Sequence, residues 1–177
     1  MMRLLILLFI ICQNQLLAQN TIGLPDVINY TKQEYKGGLQ NWDFEQDETG
    51  MIYVANNEGL VSFDGNTFKL YPLPNKTIVR SINISNGKIY VGGQGEMGFF
   101  QPNKQGILRY HSLLDLIPAS DRGFGDVWDI VEHENEIFFR TTKHIFRLAA
   151  TKMHSFHTPN EWIFMGVCQR RLYLQDN

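Results

Sequence analysis

One pattern of short apolar segments separated by turns occurs several times along the chain. Its equivalent positions are Ile52, Ile89, Ile137 and Leu172, which are spaced by 37, 48 and 35 residues. Each complete copy predicts four short strands rich in Ile, Val, Phe and Tyr, with Gly, Asn and Asp in the turns. Four-stranded units at about 40-residue spacing are typical of a β-propeller. The repeat therefore predicts an all-β fold built of propeller blades.

The repeat divides the chain into about three complete blades and the start of a fourth. We expect four-stranded antiparallel blades at residues 39–75, 76–112 and 124–158, a partial blade at 160–177, and an insertion at 113–125. A single blade cannot cover its two apolar faces, so each face packs on a neighbouring blade. Propellers contain four to eight blades. We therefore expect an incomplete propeller that is the N-terminal piece of a longer protein or a truncated product.

Residues 1–18 have the order of a secretory signal peptide. Arg3 gives a short positive start, residues 4–12 are apolar without a break, and Ala18 places a small residue at the cleavage position. The apolar run is about half the length of a membrane-spanning helix, and an uncleaved signal anchor is the alternative. We expect cleavage after Ala18, a lead-in segment at 19–38, and a secreted or periplasmic mature segment without a membrane span.

Composition argues against several classes of protein. The formal net charge is −2, which disfavours a basic nucleic-acid-binding module and a polybasic membrane-surface patch, so we expect no direct contact of this segment with nucleic acid. Aromatic residues make up 12% of the chain, which disfavours intrinsic disorder. Only Cys168 remains after cleavage, so no intramolecular disulfide can form. Its apolar neighbours predict a buried structural thiol.

The first copy of the repeat carries a resemblance to a known family. Residues 52–65 resemble the two-component-regulator propeller repeat, in which a strand is followed by a Gly-Leu pair and an aromatic-Asp-Gly turn. The second copy at 89–100 is similar but lacks the Asp-Gly, and the third at 137–142 departs further. The segments at 23–30 and 40–42 resemble the lead-in of such sensors. The resemblance implies the extracytoplasmic sensor of a bacterial hybrid two-component or triple-tyrosine-domain transcriptional regulator.

The resemblance also implies a function and partners. In this family the propeller usually precedes a triple-tyrosine β-sandwich, one membrane span and a cytoplasmic kinase or helix-turn-helix output. It implies non-catalytic sensing of a glycan or another small extracytoplasmic ligand, with the downstream domains of the same longer chain as partners. Loops at one end of a propeller commonly form its binding surface. By position, the candidate ligand-binding residues are Trp42, Asn57, Gln94, Glu96, Arg122 and Trp128.

Three tryptophans begin copies of the repeat at matching positions. These are Trp42, Trp128 and Trp162, and the second copy has no Trp at this place. We expect them to pack between blades, and the alternative is a ligand-stacking surface at the mouth of the pore.

No segment carries a recognisable catalytic, metal or cofactor constellation. The glycines at 92–98 are followed by a predicted strand and no Lys, so we expect a tight interstrand loop there and no phosphate site. His154 and His157 have no third ligand nearby at zinc-type spacing. We therefore expect no bound metal, no cofactor and no catalytic residue.

The acidic residues around the insertion leave other functions open. Asp115, Asp121, Asp126 and Asp129 are expected to be solvated loop charges. One alternative is a polysaccharide-active hydrolase or lyase that uses Asp126 or Asp129, because acid and base catalysis needs two carboxylates converging in a pocket. The other is a scaffold that binds a protein through an exposed blade face.

Overall fold

The fold consists of β-strands with very little helix. In a computed structural model, which describes residues 27–177, one short helix precedes fourteen strands, and two 3₁₀ helices lie between the eighth and ninth. The predicted signal peptide at 1–18 lies outside the described residues. None of the helices in residues 27–177 is long and apolar enough to cross a membrane. The elements are α1 (Lys32–Tyr35), β1 (Asn41–Gln46), β2 (Ile52–Asn56), β3 (Gly59–Phe63), β4 (Phe68–Tyr71), β5 (Val79–Ser85), β6 (Lys88–Gly93), β7 (Met97–Pro102), β8 (Leu108–Ser112), β9 (Val127–His133), β10 (Glu136–Thr141), β11 (His144–Ala149), β12 (Lys152–His157), β13 (Trp162–Cys168) and β14 (Arg171–Asp176).

The strands form three four-stranded sheets and one two-stranded sheet, each made of consecutive strands. Every neighbouring pair is antiparallel. We number the sheets as blades 1 to 4 in chain order, so that blade 4 is the pair of β13 and β14. The predicted all-β fold of an incomplete propeller is confirmed.

Two-residue turns fix the register of three equivalent hairpins. The turns are Asn86-Gly87, with φ of 50° and 70°, Glu134-Asn135, with 52° and 63°, and Gln169-Arg170, with 48° and 60°. Positive φ at both central residues is what a type I′ turn requires, and its twist matches that of the two strands it joins. The first hairpin of blades 2, 3 and 4 is therefore built in the same way.

The blades pack against one another around their first strands. β1 contacts β5, β5 contacts β9, and β9 contacts β13, so these four strands form the inner edge of the propeller. Buried apolar side chains fill the layers between consecutive blades. Examples from the three layers are Leu60, Val79 and Val91, then Met97, Val127 and Phe139, and last Phe138, Ile145 and Met165.

The connection from β8 to β9 is seated in the core. It carries the two 3₁₀ helices, Leu114–Leu116 and Ala119–Asp121. Leu113, Ile117 and Phe124 are buried in the layer between blades 2 and 3. This connection corresponds to the insertion predicted at 113–125.

Each inner strand carries a β-bulge near its start. The register shifts between Asn41 and Asp43 in β1 and between Val79 and Ser81 in β5. It also shifts opposite β9 and within β13. A bulge leaves one residue unpaired and re-aims its side chain. The four bulged residues are Trp42, Arg80, Trp128 and Ile163.

The bulges correct the predicted equivalence of the tryptophans. Trp162 precedes the bulge of β13, and Ile163 holds the position of Trp42 and Trp128. Trp162 packs instead with Met165 against blade 3. A shift of one residue moves a side chain to the other face of a strand, and matching by residue type alone did not detect this shift.

The residue after each bulge bonds to the next blade. Asp43 Oδ2 accepts a hydrogen bond of 2.9 Å from the backbone N–H of Ile82. Ser81 Oγ donates one of 2.9 Å to the carbonyl of Val127. Asp129 Oδ2 accepts one of 3.1 Å from the N–H of Met165. Polar side chains therefore satisfy inner-strand backbone groups across each blade boundary.

The prediction of a buried Cys168 is wrong, because the thiol is exposed. Cys168 lies on the same side of β13 as Phe164 and Gly166, and this side forms a surface depression with Tyr173 of β14. Within residues 27–177 no other sheet packs on that side, whereas Met165 on the opposite side is buried against blade 3. An apolar run therefore did not guarantee burial.

Candidate functional site

One end of the propeller gathers the starts of the inner strands and the loops that were predicted to bind. Asn41 of β1 pairs with Asn56 of β2, so the hairpin loop after Asn56 lies beside the start of β1. Val79 pairs with Gly93 in the same way, and Val127 pairs with Thr141. The bulged residues lie at this end, which we call the loop end.

Trp42, Arg80 and Trp128 form a stack at the loop end. The guanidinium carbon of Arg80 lies 4.1 Å from the ring centroid of Trp42 and 4.7 Å from that of Trp128. Blade 2 lies between blades 1 and 3, so the guanidinium sits between two indoles. Each such contact contributes about 0.5–2 kcal/mol, depending on desolvation. Trp42 is 40% exposed and Trp128 is 38% exposed, which leaves indole surface available to a ligand.

Asn57 holds the indole of Trp42 in place. Its Oδ1 accepts a hydrogen bond of 2.7 Å from Trp42 Nε1, and its Nδ2 donates one of 3.1 Å to Gln40 Oε1. The structure therefore brings the predicted site residue Asn57 next to Trp42, where it orients the ring. Tryptophan N–H groups that lie against protein usually find such a partner.

Replacing Asn57 by alanine is expected to release the Trp42 indole at a cost of about 0.5 kcal/mol, since one partly exposed hydrogen bond is lost. The indole N–H resonance of Trp42 should move toward the position of a solvent-exposed indole in a ¹⁵N–¹H spectrum. Asn160→Ala is the matched control, because its amide bonds to Asp176 in blade 4. Three unchanged indole resonances in the Asn57 variant would contradict the assigned contact.

Arg80 is held by a carboxylate that directly follows the insertion. Asp126 Oδ1 lies 3.1 Å from Arg80 Nε, and the two side chains are 17% and 13% exposed. Arg80 Nε, Arg80 Nη1 and Asp126 Oδ1 are buried and form no hydrogen bond within residues 27–177, so Asp126 holds the guanidinium by charge at close range. A cavity of about 280 Å³ lies beside the stack, and Trp42, Arg80, Trp128 and Asp129 are among the residues that line it.

The structure separates the remaining predicted residues from the stack. Gln94 is exposed at the loop end, where it forms an isolated β-bridge with Asp126. Arg122 is exposed on the insertion, and its Nε donates a hydrogen bond of 3.0 Å to the carbonyl of Ile117. Gln94 therefore lies at the edge of the site, whereas Arg122 stabilises the conformation of the insertion.

The structure removes Glu96 from the candidate surface. Glu96 is buried in blade 2, where its Oε1 accepts hydrogen bonds of 3.0 Å from the Tyr110 hydroxyl and 2.8 Å from Ser112 Oγ. Burial and the neighbouring carboxylate raise the pKa of Tyr110. Glu96 lies in the loop just before β7, and its carboxylate points to the hydroxyl groups of Tyr110 and Ser112 in β8, which the sequence around Glu96 does not reveal.

Arg80 is the site residue that sequence reasoning missed. At this position the second copy was noted only for its lack of a tryptophan. Aligning Asn41-Trp42-Asp43 with Val79-Arg80-Ser81 and Val127-Trp128-Asp129 places Arg80 at the same repeat position. The signal was therefore present in the repeat, but it required the bulge register.

Two of the acidic residues are not solvated loop charges, contrary to prediction. Asp126 pairs with Arg80, and Asp129 Oδ2 accepts a hydrogen bond from Arg140 Nε. Asp115 does have an exposed side chain. Charges paired with an arginine in this way are compensated, which suits orientation better than proton transfer.

The histidines are divided between two faces of β12. His154 pairs with Arg147 and His157 with His144, whose ring centroid lies 5.1 Å from that of His157. Residues three apart on a strand point to opposite sides. Burial lowers the pKa of His144. Within residues 27–177 no group of three or more His, Cys, Asp or Glu side chains is arranged to hold a metal ion.

The fold and the site together define an incomplete β-propeller with an aromatic and cationic stack at the loop end. Solved structures share this fold. The chain is similar to the extracellular domain of BT4673 from B. thetaiotaomicron, described in one structure as a one-component system and in another as a hybrid two-component system. Both comparisons give a TM-score of 0.59 and 20% identity, over 78% and 77% of this chain and 19% of that chain.

A second extracellular domain is also similar. It belongs to BT3049 of the same organism, described as a hybrid two-component system, with a TM-score of 0.62 and 16% identity over 88% of this chain and 23% of that one. The chain thus spans about a fifth of the chains it matches. No protein-family model and no curated protein matches the chain. At these identities the similarity establishes the fold.

Proposed function

We propose that this chain is an extracytoplasmic, ligand-sensing propeller segment of a signal-transduction regulator. The similar solved structures are extracellular domains of regulatory systems, which supports a sensing role outside the cytoplasm. The signal-peptide pattern with cleavage after Ala18 supports the same location. In this proposal the segment belongs to a longer chain, whose downstream domains pass the signal to a transcriptional output.

The observation that carries the proposal is the stack of Trp42, Arg80 and Trp128 beside a cavity of about 280 Å³. Exposed indole surface suits the apolar face of a sugar ring, and the edge of the guanidinium offers donors to its hydroxyl oxygens. Arg80 is already paired with Asp126, so the site does not present an uncompensated positive charge. We therefore propose a neutral glycan as the ligand.

A binding experiment tests this function. Trp42→Ala and Trp128→Ala should each weaken binding of neutral mono- and oligosaccharides at least tenfold in calorimetric titrations, because each removes one wall of the site. Phe156→Ala is the matched control, since Phe156 is also an exposed aromatic that contacts an arginine, Arg147, but on the outer strand β12. A folded wild-type chain that binds none of the saccharides at millimolar concentration would contradict the proposal.

The non-catalytic part of the proposal is supported by the pairing of the two candidate carboxylates. Asp126 and Asp129 each contact an arginine, and Asp129 also accepts the N–H of Met165. A hydrolase or lyase would need one of them to exchange protons with a substrate. Appearance of cleaved polysaccharide that disappears in Asp129→Asn would favour the enzyme hypothesis.

A protein-binding role has one observation in its favour. The side of blade 4 that carries Phe164 and Tyr173 is exposed and apolar. Exposed apolar surface of this kind often marks an interface. A defined complex of fixed stoichiometry on this side would support the scaffold hypothesis.

A further inference from the structure

The insertion between β8 and β9 is fastened to blade 2 at both ends. At its start the N–H of Leu113 donates a hydrogen bond of 2.9 Å to the carbonyl of Met97. At its end the N–H of Gly95 donates one of 2.7 Å to the carbonyl of Gly125. The last residues of the insertion therefore run beside the loop between β6 and β7, which places them at the loop end.

The middle of the insertion is anchored by apolar packing. Ile117 is 1% exposed, and the ring of Phe124 lies 5.3 Å from that of Phe146 in an edge-to-face arrangement. Burying an aromatic side chain removes about 150–250 Å² from water. The insertion is therefore a packed part of the boundary between blades 2 and 3, and its position is determined by that packing.

Asp126, the last residue before β9, connects the packed insertion to the candidate site. Asp126 forms the β-bridge with Gln94 and pairs with Arg80, 3.1 Å from Oδ1 to Nε. An arginine side chain has many rotamers of similar energy, so a guanidinium without a fixed partner can leave the stacked position between the two indoles. Asp126 is the carboxylate that limits them.

We propose that Asp126 is a positioning residue for Arg80, through which the insertion determines the geometry of the stack with Trp42 and Trp128. Asn57 does the same for Trp42 from the β2–β3 hairpin, so two loops orient two neighbouring members of the stack. The part of this inference that concerns ligand affinity rests on the proposed function. The part that concerns the stack does not.

The test compares Asp126→Asn with Asp115→Asn in the full chain. Both substitutions remove one negative charge in the insertion or directly after it, but Asp115 pairs with Arg122, 3.7 Å apart, and its side chain is 98% exposed. Asp126→Asn should reduce the near-ultraviolet circular dichroism of the tryptophans by about half, because a rigid indole environment produces that signal. Asp115→Asn should leave it unchanged, and Asp126→Glu should restore part of it.

A second set of variants separates positioning from folding. If Asp126 acts through Arg80, the double variant Arg80→Gln, Asp126→Asn should have the same tryptophan signal as Arg80→Gln alone. Equal far-ultraviolet spectra establish that the variants are folded. An unchanged near-ultraviolet signal in Asp126→Asn, or additive losses in the double variant, would overturn the proposal.

Saccharide titrations of the same variants distinguish the two proposals. We expect Asp126→Asn to weaken saccharide binding about fivefold to tenfold, with Asp115→Asn unchanged. If the tryptophan signal falls as expected while the wild-type chain binds no saccharide, the positioning role of Asp126 stands and the proposed function fails. If saccharide binding is intact in Asp126→Asn and its tryptophan signal is unchanged, the positioning role is refuted and the proposed function stands.

Discussion

Replacing Arg140 by alanine is expected to lower the free energy of unfolding by about 3 kcal/mol, because it leaves a partly buried carboxylate without its cation. Arg140 Nε donates to Asp129 Oδ2, and Arg140 Nη1 donates a hydrogen bond of 2.7 Å to the carbonyl of Trp162. Its side chain is 10% exposed and that of Asp129 is 30% exposed. Arg140 therefore joins the inner strand of blade 3 to that of blade 4.

Urea unfolding measures this loss, and a second arginine of blade 3 provides the control. Arg147 lies 3.8 Å from Glu136, with both side chains about one-third exposed. Arg147→Ala should cost at most about 1 kcal/mol, as is usual for pairs that water can reach. Equal losses in the two variants would show that Arg140 does not join the blades as described.

Gly92→Ala is expected to destabilise the boundary between blades 2 and 3 by about 2 kcal/mol, because a Cβ has no space there. An ideal Cβ on Gly92 would lie 2.6 Å from the Cβ of Val127 and 2.7 Å from Ser81 Oγ. Val127 is fully buried and belongs to an inner strand, so it cannot move aside without shifting β9. The added methyl group must therefore push blade 3 away from blade 2.

The control for this substitution lies on the insertion. A Cβ on Gly123 meets no atom within 4 Å, so Gly123→Ala should change stability by less than about 0.5 kcal/mol. Both variants are compared by urea unfolding at one temperature. A neutral Gly92→Ala would mean that the two inner strands do not approach as closely as the structure shows.

The repeat made the fold predictable from the sequence. Alternating apolar residues and Gly, Asn and Asp turns are local signals, and their recurrence at Ile52, Ile89 and Ile137 specifies blades before any contact is known. The hairpin at Asn86-Gly87 has the residues that its turn requires. Patterns of this kind can be recognised without knowledge of tertiary contacts, because each depends on a few neighbouring residues.

The site was only partly predictable, because it depends on contacts between blades. Trp42, Asn57 and Trp128 were identified by position, but their partner Arg80 carries no local mark of a binding residue. Ile163, and not Trp162, is the equivalent of Trp42 and Trp128, because β13 contains a bulge that only the strand pairing reveals. Glu96 looked like a loop residue and is buried, since hydroxyl partners fourteen and sixteen residues away satisfy its carboxylate.

The central claim is that consecutive blades around one axis bring the bulged residues of blades 1, 2 and 3 into one stack. Nuclear Overhauser contacts from the side-chain protons of Arg80 test it most directly, since Arg80 lies 38 residues after Trp42 and 48 before Trp128. The account predicts cross-peaks from Arg80 to the ring protons of both indoles in the folded chain. Cross-peaks to neither indole, or to Trp162 in their place, would contradict it.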